Sequence, residues 1–101
     1  MEMPLADVVD RYTVLILKDQ NGIPVKEELE QYRKCCMNLE WKELLRINSL
    51  MWKLEEMISD ETDLATIGAL YLALRGLTKR RVEAKNQIAV KHQQPPEVKS
   101  Y

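Results

Sequence analysis

At 101 residues the chain is long enough for one domain and too short for two with separate cores. Hydrophobic residues make up 46% and charged residues 31%, a balance that supports a core and excludes a protein embedded in a bilayer. Fifteen basic and sixteen acidic side chains leave a formal charge of −1, without the basic excess on which a nucleic-acid binder relies, so neither a membrane nor a nucleic-acid partner is expected.

Residues 1–7 do not set a basic segment before an apolar one, so no secretory signal is expected there. The first helix is predicted from Leu5, Val8, Val9, Tyr12, Leu15 and Ile16, which follow the three-and-four spacing of one helix face. Asn21-Gly22-Ile23-Pro24 ends it, with Gly22 able to close one helix and Pro24 placed to open the next. Val25, Leu29, Tyr32 and Cys36 predict a short second helix. Its adjacent Cys35 and Cys36 have no other cysteine to bridge, which points to free thiols and a cytoplasmic protein. An intermolecular disulfide or a redox sensor is the sharper alternative, and no metal or thioredoxin-type motif surrounds the pair.

Asn38 is expected to cap a third helix beginning near Leu39, with Glu40 in its first turn. That helix carries two apolar lines: Leu44, Ile47, Met51, Leu54 and Ile58 on one, and Trp41, Leu45, Asn48, Trp52 and Glu55 on the other. Residues 59–63 supply caps and carboxylates where a helix start favours them. Ile67, Leu70, Leu74, Leu77, Arg81, Ala84 and Ile88 predict a long fourth helix. The third and fourth helices should be the long ones, about 30 Å and 40 Å. Pro95 and Pro96 lie in a tail, residues 93–101, that cannot continue a helix and is expected to fray. The expectation is an all-α, antiparallel up-down bundle of about four helices within residues 1–92. A short second helix leaves one flank of the fourth uncovered, and the third has a line to spare. Self-association, as a dimer, is therefore expected.

Polar groups interrupt these lines at Asn48, Glu55 and Arg81. Counting heights outward from each turn brings Lys18 near Glu55 and Asp10 near Arg81, and predicts two interhelical ion pairs. One reading makes them structural, setting register or running their stems along the rim. The other makes Lys18, Asn48, Trp52, Glu55 and Arg81 a pocket for a small anionic or nucleotide-like ligand, stacked on the indole and paired with the cations. The densest basic stretch, Lys79-Arg80-Arg81 with Arg75, Lys85 and Lys91, reads as a solvated face balanced by Glu27, Glu28, Glu30 and Glu56. Phosphate or RNA binding is its alternative, without interleaved aromatics to support it.

His92, the sole histidine, stands at the frayed end, so no Ser-His-Asp or Cys-His arrangement is expected. No zinc spacing and no Gly-rich phosphate loop occurs, and neither a catalytic residue, a metal nor a cofactor is called for. Carboxylate chemistry remains. All-helical nucleoside triphosphate pyrophosphatases hold magnesium with Glu-x-x-Glu on one helix and Glu-x-x-Asp on the next. Glu27-x-x-Glu30 and Glu40-x-x-Glu43 fit the first element, whereas Glu56 is followed at three by Ser59, with Asp60 one step late.

Three stretches taken in order resemble a family of small helical proteins of bacteria and their phages. Residues 10–18, DRYTVLILK, are similar to its D-K-[apolar]-T-I-L-x-[apolar]-K opening. Residues 48–58, NSLMWKLEEMI, resemble its N-x-x-L-W-x-[apolar]-E-D-x-I, and residues 78–88, TKRRVEAKNQI, its N-x-x-R-x-x-x-K-x-x-I ending. Thr78 stands where that family favours Asn or Asp. The resemblance implies an all-helical single domain, supplies no activity, and adds weight to Lys18, Asn48, Trp52, Glu55, Arg81 and Lys85 as ligand-binding positions. The resulting expectation is a non-catalytic, self-associating binding or assembly module. The alternatives are a small-ligand binder and a magnesium-dependent pyrophosphohydrolase.

Overall fold

The computed structural model of the chain describes residues 4–92, so the expected fraying of residues 93–101 lies outside the described residues. Among the described residues the chain forms four helices: α1 Leu5–Gln20, α2 Lys26–Cys36, α3 Lys42–Asp60 and α4 Leu64–Lys91. There is no strand among them. The two longest are α3 and α4, as their periodicity predicts.

Each boundary has a local cause. Gly22 adopts φ 78°, a left-handed conformation that glycine takes without a Cβ clash. This lets Gly22 N–H donate to Asp19 O and Ile23 N–H to Lys18 O, the paired bonds that close the end of α1. At the start of α4, Thr66 N–H donates to Asp63 Oδ2 at 2.9 Å and the Thr66 hydroxyl to the same oxygen at 2.7 Å. Those bonds hold the Asp63 carboxyl below its usual range.

Helix α3 begins three residues later than expected, and Asn38 does not cap it. The connection is held open by packing instead. Leu39 is half-buried against the core. Trp41 meets Tyr12 edge-on, with ring centroids 5.8 Å apart and planes at 84°. Glu40 is drawn toward α4, where Lys91 donates to it.

Helix α1 is the centre of the bundle. It packs on α2, α3 and α4, and α3 packs on α4, whereas α2 packs on α1 alone. The core gathers Val9, Tyr12 and Leu15 of α1, Tyr32 and Cys36 of α2, Leu44 and Ile47 of α3, and Leu77, Ala84 and Ile88 of α4. Side chains as fully enclosed as Leu15, Leu44 and Ile47 contribute about 1.5–3 kcal/mol each. On the outer edge, Arg11 of α1 reaches Glu28 of α2 at 2.6 Å and lies over the Tyr32 ring, fastening α2 to its one neighbour.

The core occupies one end of the α3–α4 hairpin only. None of the described residues from 49 to 76 is buried. Both lines of α3 are nonetheless used within the chain: Leu44 and Ile47 enter the core, and Asn48, on the second line, bonds to α1. On the second line Trp41 and Asn48 are engaged within the chain, while Trp52 and Glu55 farther along it are not buried. On α4 Leu64, Tyr71 and Leu72 are 83%, 56% and 69% exposed, and on the neighbouring α3 Met57 is exposed too.

Candidate functional site

The polar groups that interrupt the helical lines meet where α1, α3 and α4 converge. Asp10, Thr13 and Asn48 are buried. Asn48 Nδ2 donates to Asp10 Oδ1 at 2.9 Å and to Thr13 Oγ1 at 2.8 Å. The Thr13 hydroxyl in turn donates to the Asp10 carbonyl at 2.7 Å, one turn back along α1. From α4, Arg81 Nε donates to Asp10 Oδ1 at 3.0 Å and its terminal nitrogen to Asp10 Oδ2, a two-pronged grip on the carboxylate. The predicted Asp10–Arg81 pair is thus present.

A second rung lies one turn away. Lys85 is buried, with its ammonium 2.6 Å from Asp7 Oδ1. Because α1 and α4 run antiparallel, one turn back in α1 meets one turn forward in α4. Asp7 and Thr13 were not singled out in the sequence, yet the signal was there. Asp7, Asp10 and Thr13 step by three along one face of α1, while Arg81 and Lys85 step by four along α4.

Lys18 and Glu55 do not join this cluster. Among the described residues no ion pair connects them, although their heights agree. Azimuth is the reason. Lys18 follows Arg11 by seven residues, close to two full turns, so it shares the flank of α1 from which Arg11 reaches α2. Glu55 is exposed on α3, at the other side of α1.

Beside the cluster Asn48, Trp52, Glu55 and Arg81 line a cleft of about 200 Å3 floored by Val14, Leu17 and Met51. Sites for small organic ligands occupy about 300–1,000 Å3, so this one has room for little more than a carboxylate or phosphate group. Asn48, Trp52 and Arg81 are already engaged there. Both amide hydrogens of Asn48 are used inside the cluster, and the Trp52 indole N–H donates to Glu56 Oε1 at 2.8 Å. A wider hollow of about 760 Å3 lies over the α1–α2 turn, from Asp19 to Glu28. Its Glu28 is held by Arg11.

The basic stretch does not form one face. Arg81 and Lys85 turn inward to Asp10 and Asp7, Arg80 stands 3.8 Å from Glu43, and Lys91 bonds to Glu40. Within the chain these four cations are balanced by Asp7, Asp10, Glu40 and Glu43, because helix azimuth distributes consecutive residues around α4. Glu40 and Glu43 sit below the usual carboxylate range, held there by hydrogen bonds from Lys91 and Arg46 respectively. Glu30 lies 3.7 Å from Arg33. Glu30, Glu40 and Glu43 of the two Glu-x-x-Glu pairs thus face cations, and among the described residues no group of three or more His, Cys, Asp or Glu converges.

Of the two free thiols, Cys35 is exposed and Cys36 is buried beneath α1, with Sγ 3.9 Å from Val8 O. Burial, with a smaller contribution from neighbouring Cys35, pushes the Cys36 thiol up to about 11. A maleimide at neutral pH is expected to modify Cys35 rapidly and spare Cys36 until the protein unfolds. Equal labelling of both thiols in the native state, read by peptide mass spectrometry, would contradict that burial.

Among the described residues no helix is long and apolar enough to cross a membrane. No protein-family model, curated protein or solved structure matches this chain.

Proposed function

We propose that the protein is a non-catalytic binding and assembly module that works by self-association through the outward face of α4. One observation carries the reading: from Leu64 to Leu74 the helix has no charged residue, and Leu64, Tyr71 and Leu72 stand in solvent on its outer side. Scattered apolar residues on a surface are ordinary, but three large ones on a solvated helix segment without a single charge make a contiguous patch. The adjoining half of the hairpin has no buried residue of its own, so a partner helix would supply burial that the single chain lacks. Within this reading Asp10, Asn48, Arg81 and Lys85 set the register of the bundle and bind no ligand. Size-exclusion chromatography with light scattering tests the proposal. A mass that rises toward twice 11.8 kDa with concentration is expected, and a strict monomer at the highest soluble concentration overturns it.

The cleft beside Arg81 favours a second reading, a site for a small anion such as phosphate, with Trp52 as its wall and Lys18 outside it. Isothermal titration with inorganic phosphate and with a nucleotide panel decides the matter. Heat that vanishes in Arg81→Met supports the site, and no heat at millimolar ligand removes it.

A further inference from the structure

The outer stripe of α4 has a shape that fits itself. Leu64, Gly68, Leu72 and Gly76 follow one another at intervals of four, large and small alternating. Glycine inside a helix is among the least favourable choices, and neither of these two is required by the chain's own packing. A Cβ built on Gly68 or Gly76 meets nothing within 4 Å. What glycine on an outward helix face does permit is the close approach of another backbone.

Resting on the self-association proposed above, we infer that the partner is a second copy of α4 lying antiparallel, centred on Leu70. In that register Leu72 of each chain seats on Gly68 of the other, and Leu64 on Gly76. The contact is isologous: the same patch serves both chains, and every pairing occurs twice about the two-fold axis. Ala65, Ala69 and Ala73 flank the stripe and keep the approach close.

Charge selects the same direction. The turn that leads into α4 holds Asp60, Glu61 and Asp63 without a basic residue, and farther along α4 Arg75 and Lys79 stand outside the intrachain pairs that hold Arg80 and Arg81. An antiparallel pair brings the acidic turn of each chain toward Arg75 and Lys79 of the other. A parallel pair would set like against like. Arg75 and Lys79 are exposed, and neither makes an ion pair within the chain among the described residues.

A size swap read by sedimentation equilibrium tests the register. Gly68→Leu has open space for its side chain in the single chain, so the variant is expected to remain folded by circular dichroism, with an unchanged or higher Tm at concentrations where the wild type is monomeric. Its dimer dissociation constant should rise about tenfold or more, because the leucine meets Leu72 of the other chain. Adding Leu72→Gly exchanges knob and hole and should return the dissociation constant toward that of the wild type. If the wild type dimerises while Gly68→Leu is indifferent, or the double variant fails to recover, the register is wrong and self-association stands. A wild type that stays monomeric overturns both.

Discussion

Replacing Asp10 by alanine is expected to cost the fold about 3 kcal/mol, read as a lower urea midpoint with an unchanged denaturant slope. The carboxylate is buried and accepts from Asn48 and twice from Arg81, so its removal takes those two acceptors from the guanidinium and one of two from the amide. The Arg81 side chain is 32% exposed, and water recovers part of that loss, which sets the figure at the low end for a broken buried pair. The triple variant Asp10→Leu, Asn48→Leu, Arg81→Met should return to within about 1 kcal/mol of the wild type, since all unpaired polar groups are gone together. The pair of variants separates the two roles of the cluster. A large loss in the single variant and recovery in the triple make it a device for register and packing. An Asp10→Ala protein as stable as the wild type would show that the fold does not depend on these bonds, and the ligand reading would gain.

Leu44→Ala and Leu72→Asp should fail in opposite ways. Leu44 is wholly enclosed between α3 and the rest of the core, and truncation there is expected to cost about 3 kcal/mol through lost burial and a residual cavity. Leu72 is 69% exposed, so Leu72→Asp should change the stability of the single chain by about 0.5 kcal/mol or less. It should instead abolish self-association, because a carboxylate would be buried unpaired at the centre of the contact. Thermal unfolding at two protein concentrations distinguishes them. The wild type and Leu44→Ala are expected to melt higher at the higher concentration, and Leu72→Asp to lose that dependence. A Leu72→Asp protein that dimerises as before would place the interface elsewhere.

Periodicity and turn chemistry were enough to determine the helices of this protein. Gly22 and Asp63 mark boundaries through backbone conformation and capping, which depend on a few neighbouring residues and so can be read in one dimension, whereas α2 opens at Lys26, two residues after Pro24. Height along the bundle was also legible, because short connections bind neighbouring helices to a common origin, and the Asp10–Arg81 pair follows from that count. Azimuth between helices was not. Whether Lys18 faces α2 or α3 depends on how α1 is rotated in the assembled core. A residue count along the chain carries no term for that rotation, so the expected Lys18–Glu55 pair is absent among the described residues. The late start of α3 has the same origin, since Leu39 and Trp41 gain more from packing on the core and on Tyr12 than Asn38 offers as a cap. Only the tertiary structure decided which apolar line lacks a partner. Burial is a property of the whole assembly: α1 covers Asn48 on the second line of α3, and Leu64, Tyr71 and Leu72 on α4 stay exposed.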